Sequence, residues 1–188
     1  MPINGKRLLY HGTTQYHKTI KLDQNRPFSD YGQGYYLTSN LNQAFSWAQK
    51  QNDEKAWVFE YSVLDEIDDK LLQLQLLEYN IDWLDVILHY RTNEPLPNKP
   101  KWKDLDQYDI IYDRMADGRI SKLITSYTQK RIDKEKLLNK IQGTGGGRKT
   151  WRLTDQYCFK TPKALCLLHR TKEIWIYKGD YKEVACDE

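Results

Sequence analysis

Three short segments hold residue types that could do chemistry together. In Tyr10-His11-Gly12-Thr13-Thr14 an imidazole and two hydroxyls stand beside a glycine. Imidazole and hydroxyl can hydrogen-bond sugar hydroxyls, and a residue without Cβ lets a ligand approach the backbone closely. The second segment is Tyr31-Gly32-Gln33-Gly34-Tyr35-Tyr36-Leu37-Thr38, followed by Gln43-Ala44-Phe45-Ser46-Trp47-Ala48. A strand tyrosine (Tyr36) and a tryptophan on the next helix (Trp47) can enclose a flat heteroaromatic ring, with cation–π attraction where that ring is positively charged. The third, Thr154 to Leu165, sets the polar pair Asp155-Gln156 directly before an apolar strand. Each segment also has a plain structural reading: a turn, two core aromatics, the opening of a strand.

The elements that must position these residues follow from periodicity. Lys6 to His11 reads as a first strand, Thr13 to Tyr31 as a polar loop around Pro27, and Gln33 to Thr38 as a short strand with Tyr36 opposite Tyr35 and Leu37. Asn40 can cap a helix over Leu41 to Gln51, with Gln43 at the capping-box spacing and Leu41, Ala44, Phe45 and Ala48 on one stripe. Trp57, Phe59, Tyr61 and Val63 alternate as a half-buried strand. Asn80 begins a second helix with Ile81, Leu84, Ile87 and Leu88 inward, ended by Pro95, Pro97 and Pro100. Tyr108 to Tyr112 reads as a strand and Ile120 to Ile141 as a helix. Tyr157 to Phe159 is a further strand, Thr161-Pro162 opens a helix, and Glu173 to Lys178 is a last strand. Short strands among helices without a regular βαβ rhythm predict an α+β fold.

The 188 residues suit one domain over 1–188, and no apolar run approaches the ~20 residues of a membrane span. The N-terminus lacks the apolar stretch of a secretion signal, so a cytoplasmic protein without membrane attachment is expected. Three cysteines match no zinc spacing and the four histidines are scattered, so no metal is expected; Cys158 and Cys166 read as small core residues. Net charge is +3, yet Arg119 to Arg152 holds ten Lys/Arg against Asp133 and Glu135. Such a run is either a solvated face or a surface that tracks nucleic-acid phosphates. The run Gly143 to Gly147 lacks a preceding strand and a following Gly-Lys-Ser/Thr, so it reads as a flexible loop rather than a phosphate cradle.

Taken in order, the three segments resemble the ADP-ribosyltransferase superfamily, in its poly(ADP-ribose) polymerase and diphtheria-toxin branch with a His-Tyr-Glu triad on a split β-sheet. Tyr10-His11-Gly12-Thr13 resembles the first motif. Gly32-x-Gly34-x-Tyr36 and the aromatic helix after it resemble the second. The likeness is nearest to a small bacterial group of mostly uncharacterised members, through Tyr-Leu-Thr, Gln-Ala, Trp-Ala, Tyr108-Asp109-Ile110, Ala116-Asp117 and Gln156-x-x-Phe159-x-Thr161-x-x-Ala164-Leu165. It spans about Leu8 to Leu168.

The resemblance implies NAD⁺ as co-substrate, held by His11, Gly12, Thr13, Arg26, Tyr36 and Trp47, with Tyr36 and Trp47 on either side of nicotinamide. It implies catalytic roles for His11, Tyr36 and the residue at the triad glutamate position, here Gln156. A glutamine amide can hydrogen-bond but cannot take a proton. Single transfer is therefore expected rather than chain growth, with Asp117 as the first candidate base and Asp155 the second. The acceptor is expected to be a macromolecule, RNA or DNA ahead of protein. A small bacterial member of this superfamily implies a toxin or defence effector with an antitoxin as partner. Two alternatives remain at this point: an NAD⁺ hydrolase, and a catalytically silent module that binds NAD⁺ or nucleic acid.

Overall fold

The computed structural model describes residues 7–22, 29–49, 55–63, 71–99, 102, 105–116, 118–145, 155–177 and 180–186. The first half contains β1 (Arg7–Thr13), β2 (Tyr35–Leu37), α1 (Leu41–Ala48), β3 (Lys55–Val63), β4 (Gln73–Leu76) and α2 (Ile81–Thr92). The second half adds β5 (Ile110–Arg114), α3 (Gly118–Thr128), α4 (Lys134–Gly145), β6 (Asp155–Phe159), α5 (Pro162–Leu165), β7 (Leu168–Tyr177) and β8 (Asp180–Ala185). Among the described residues the strands form two four-stranded sheets, ordered β1-β3-β7-β8 and β2-β6-β5-β4. The first is antiparallel throughout, and the second contains one parallel pair, β4 with β5, bridged by α2.

Alternation along the strands divides the interior. Leu9, Phe59 and Tyr61 from the first sheet meet Tyr35, Leu37, Tyr157 and Phe159 from the second, so one core lies between the sheets. The opposite face of the second sheet, with Ile111 and Cys158, is covered by Trp83, Leu84, Ile87 and Leu88 of α2 and by Ile120, Ile124, Leu137 and Ile141 of α3 and α4. Each large side chain so enclosed contributes about 1.5–3 kcal/mol through removal from water. On the first sheet, α1 lays Ala44 and Ala48 against Val58, Ile174 and Ile176. Gly12 permits this approach: a Cβ there would lie 1.9 Å from the Ala44 carbonyl oxygen.

Several expectations hold locally. Asn40, Asn80 and Thr161 cap α1, α2 and α5 by accepting from Gln43 N, Trp83 N and Ala164 N. Others are corrected. Ile81 is 44% exposed because it is the first residue of α2, whereas Trp83 to Leu88 are all buried, so this helix is enclosed nearly all round rather than along one stripe. The expected helix from Ile120 to Ile141 is two helices. Lys130 adopts a left-handed backbone (φ 57°), and Asp133 accepts from Lys136 N at 2.7 Å to restart the chain as α4. The pairs Ile120–Ile124 and Leu137–Ile141 give each segment i, i+4 spacing, and no Gly or Pro between them marks the break. Helix α4 runs on to Gly145, through part of the expected glycine loop. The strand expected from Tyr108 begins at Ile110, and Cys166 is exposed rather than in the core. Strands β4 and β8 were not legible: β4 is only four residues, and every residue of β8 is exposed, leaving no apolar face to read. Among the described residues no helix is long and apolar enough to cross a membrane.

Candidate functional site

The two sheets touch edge to edge at a single described residue pair. Tyr10 of β1 and Thr38, just after β2, exchange backbone hydrogen bonds of 2.8 and 3.0 Å, and there the strands part. A continued antiparallel ladder would set His11 opposite Leu37 and then Gly12 opposite Tyr36. Instead the His11 ring reaches the Tyr36 carbonyl through Nδ1 at 2.8 Å. A carbonyl only accepts, so Nδ1 carries the proton and Nε2 keeps its lone pair as an acceptor. The ring is stacked on Tyr35 at 4.3 Å and lies near Phe59 and His17. Burial there lowers its pKa to about 4, so the imidazole is neutral at neutral pH.

Tyr36 points to the other face of β2, as its alternation requires. Its hydroxyl donates to Gly32 O (2.7 Å) and accepts from Tyr31 N (3.0 Å), pinning the turn in which Gly32 takes φ 71°. The ring is half-buried and packs against the core on the α2 side of the sheet. Cys158 pairs with Tyr36 across the strands, and Gln156 follows two residues away on the same face. His11 and Tyr36 are thus joined through the main chain while their rings serve opposite sides of β2.

Beside Gln156 lies a buried polar cluster. The Gln156 amide donates to Asp30 Oδ2 at 3.2 Å, as does Ala116 N at 3.4 Å. Arg91 forms an ion pair with Asp30, with Nε at 2.6 Å from Oδ1, and its remaining donors reach Ser121 and the Ala116 carbonyl. Across the ladder, Asp113 is the register partner of Gln156 and is 1% exposed. Trp83 Nε1 donates to its Oδ2 at 3.0 Å, while Oδ1 has no hydrogen-bond partner. Burial, together with Asp30 and Asp155 nearby, pushes the Asp113 carboxyl well above the usual carboxylate range and favours the neutral acid. Gln43 of α1 ties that helix to this cluster through Met115 Sδ (3.3 Å) and the Asp155 carbonyl (3.2 Å), and its buried Oε1 is also unpartnered.

Of the remaining sequence candidates, Gly12 faces α1, so its missing Cβ serves helix packing on that side rather than a ligand. The Thr13 hydroxyl accepts from Gln15 N. Trp47 lies on α1 and is 46% exposed. The Asp155 carboxylate takes three donors, Thr38 Oγ1, Ser39 N and Ser39 Oγ, at 2.6–2.9 Å. It therefore latches β6 to the start of α1, a fixed acceptor more than a free base. Asp117 and Arg26 lie outside the described residues. In the basic segment, Lys134 is paired with Asp85 and Glu94, so part of that charge is neutralised within the fold.

Sequence reasoning missed Asp30, Arg91, Asp113 and Trp83. Asp113 carried a usable signal, a carboxylate within the apolar run Ile110-Ile111-Tyr112. Asp30 and Arg91 gave none, because their pairing spans 61 residues.

The architecture is that of a mixed α+β protein with two four-stranded sheets parting beside a neutral histidine and a buried carboxylate cluster. The family model described as "Protein of unknown function (DUF3990)" matches residues 8–169, and the chain belongs to that family. No curated protein and no solved structure matches it.

Proposed function

We propose that the chain is an NAD⁺-dependent mono-ADP-ribosyltransferase built on a split-sheet fold of that superfamily, a toxin or defence effector acting on a macromolecular acceptor. The observation that carries the reading is the fork itself. The sheets part beside Tyr10 and Thr38, His11 is bonded to the Tyr36 main chain, and Gln156 lies one step along the face of Tyr36.

The residues fit a dinucleotide of this kind. His11, neutral with Nε2 as acceptor, suits a ribose hydroxyl donor, and the half-buried Tyr36 ring would offer a wall for nicotinamide. NAD⁺ would supply the ADP-ribosyl group and the nicotinamide leaving group. Gln156 would present its amide oxygen while its nitrogen is held by Asp30. The binding roles of Trp47, Thr13 and Arg26, and of the Gly12 main chain on the side away from α1, rest on the resemblance alone, as does the role of Asp117 as base. Nucleic acid stays the preferred acceptor, ahead of protein, with an antitoxin as partner and the cytoplasm as location.

A second reading is favoured by Gln156, which cannot accept a proton: a module that binds NAD⁺ without turning it over. Incubation with NAD⁺ labelled in the adenylate and cell lysate, followed by separate nuclease and protease digestion, decides. Label released by nuclease supports transfer to nucleic acid, and label released by protease supports transfer to protein. Free ADP-ribose alone shows a hydrolase, and binding without turnover favours the silent module.

A further inference from the structure

One face of the first sheet carries a row of aromatic rings that runs outward from the core: Trp57 packs against the core, and the rings beyond it are exposed. Trp57 and Trp175 are register partners on β3 and β7, and Tyr177 follows two residues along β7. Trp175 and Tyr177 have ring centroids 5.6 Å apart and planes within 19°. Tyr16, from the loop after β1, extends the row with its ring 5.9 Å from Trp57. Trp175 is 39% exposed, Tyr177 37% and Tyr16 53%. Burying such rings would remove large apolar area from water, so leaving three together at the surface marks a contact site.

The charge around the row selects the partner. Lys55 is the register partner of Tyr177 and Lys182 of Trp175, and both are exposed. Among the described residues of β7 and β8 on this face, Glu173 pairs with Arg170, and Asp180 is an exposed carboxylate beside Tyr177. Nearly coplanar rings two residues apart on a strand, flanked by lysines, match stacked bases joined by phosphates. An apolar protein partner would call for an aliphatic rim, whereas of the three β8 residues on this face, Asp180, Lys182 and Val184, two are charged.

We propose that the Tyr16, Trp57, Trp175 and Tyr177 face binds single-stranded nucleic acid by base stacking, with Lys55 and Lys182 on the flanking phosphates. This inference does not rest on the transferase reading and needs no NAD⁺. The test is fluorescence anisotropy with a labelled single-stranded RNA of about 12 nucleotides, in the range such surfaces cover, and with the matching duplex. The expected result is single strand bound over duplex. Trp175→Ala with Tyr177→Ala should weaken binding roughly 10–100-fold, while Trp175→Phe with Tyr177→Phe retains most of it. Lys55→Gln with Lys182→Gln should flatten the log K against log salt slope by about 1.4. Absence of binding, preference for duplex, or equal affinity of the alanine and parent proteins overturns the proposal. Sedimentation of the parent as a dimer that the alanine pair dissolves also overturns it, by assigning the face to a second copy. Should the alanine pair fail to fold, an unchanged salt slope in the lysine variant overturns it and a flattened slope supports it.

Discussion

Gln156 donates its side-chain amide to Asp30 at 3.2 Å, joining strand β6 to a carboxylate 126 residues earlier. A glutamate could not make that bond without a proton, since both partners would be acceptors. Gln156→Glu is therefore expected to lose about 1–3 kcal/mol of stability at neutral pH, and to regain part of it as acid protonates the new carboxyl. Urea unfolding at pH 5 and pH 7.5 reads this directly. Equal stability of variant and parent at both pH values would show that the Asp30 contact does not dictate glutamine.

Tyr36 separates ring from hydroxyl. Tyr36→Phe keeps the wall but frees Tyr31 N and Gly32 O, and should cost about 0.5–1.5 kcal/mol of stability while sparing NAD⁺ affinity. Tyr36→Ala removes the wall as well and should weaken NAD⁺ binding by about 1–3 kcal/mol. Calorimetric titration with NAD⁺ checks both variants. If Tyr36→Ala binds as tightly as the parent, the ring has no part in the site.

His11 is held neutral by burial, with its pKa lowered to about 4 from 6.5. The unfolded chain takes up a proton between those values and the folded one does not, so His11 contributes stability present above about pH 6.5 and lost as pH falls toward 4. His17, also lowered by burial, acts in the same direction. Histidine carbon shifts followed by NMR should place the His11 midpoint near 4. A midpoint near 6.5 would mean that the ring is open to solvent and not the neutral acceptor described above.

Asp113 works with the opposite sign. Its folded pKa is raised, so the folded state holds a proton that the unfolded state releases, and stability drains as pH rises above the ordinary carboxylate value of 3.8. Asp113→Asn keeps the shape and the Trp83 contact while removing that titration. The variant should match the parent near pH 4 and gain on it as pH rises, until the folded Asp113 carboxyl itself ionises. A constant difference across that range would show that Asp113 does not change protonation on folding.

What the sequence made legible was local. Asn40, Asn80 and Thr161 announce helix starts, and Tyr36 was assigned its face from alternation alone. Asp30 with Arg91, and Asp113 with Gln156, belong to pairings whose members lie tens of residues apart, and nothing in either neighbourhood names the other. Gly12 shows a subtler limit. The missing Cβ was readable, but whether ligand or helix came close depended on where α1 packed.

The sheet orders bear on how the chain comes to be folded during synthesis. In the first sheet β7 lies between β3 and β8, and in the second β6 lies between β2 and β5. Both interior strands come from residues 155–177. A ribosome extends the chain at roughly 5–20 residues per second, so for several seconds β1, β2 and β3 have emerged while neither sheet can close. The nascent chain therefore carries open strand edges on β2, β3 and β5 until β6 and β7 arrive. Ribosome-bound chains ending near residue 150 should be far more protease-sensitive than chains carrying β6 and β7.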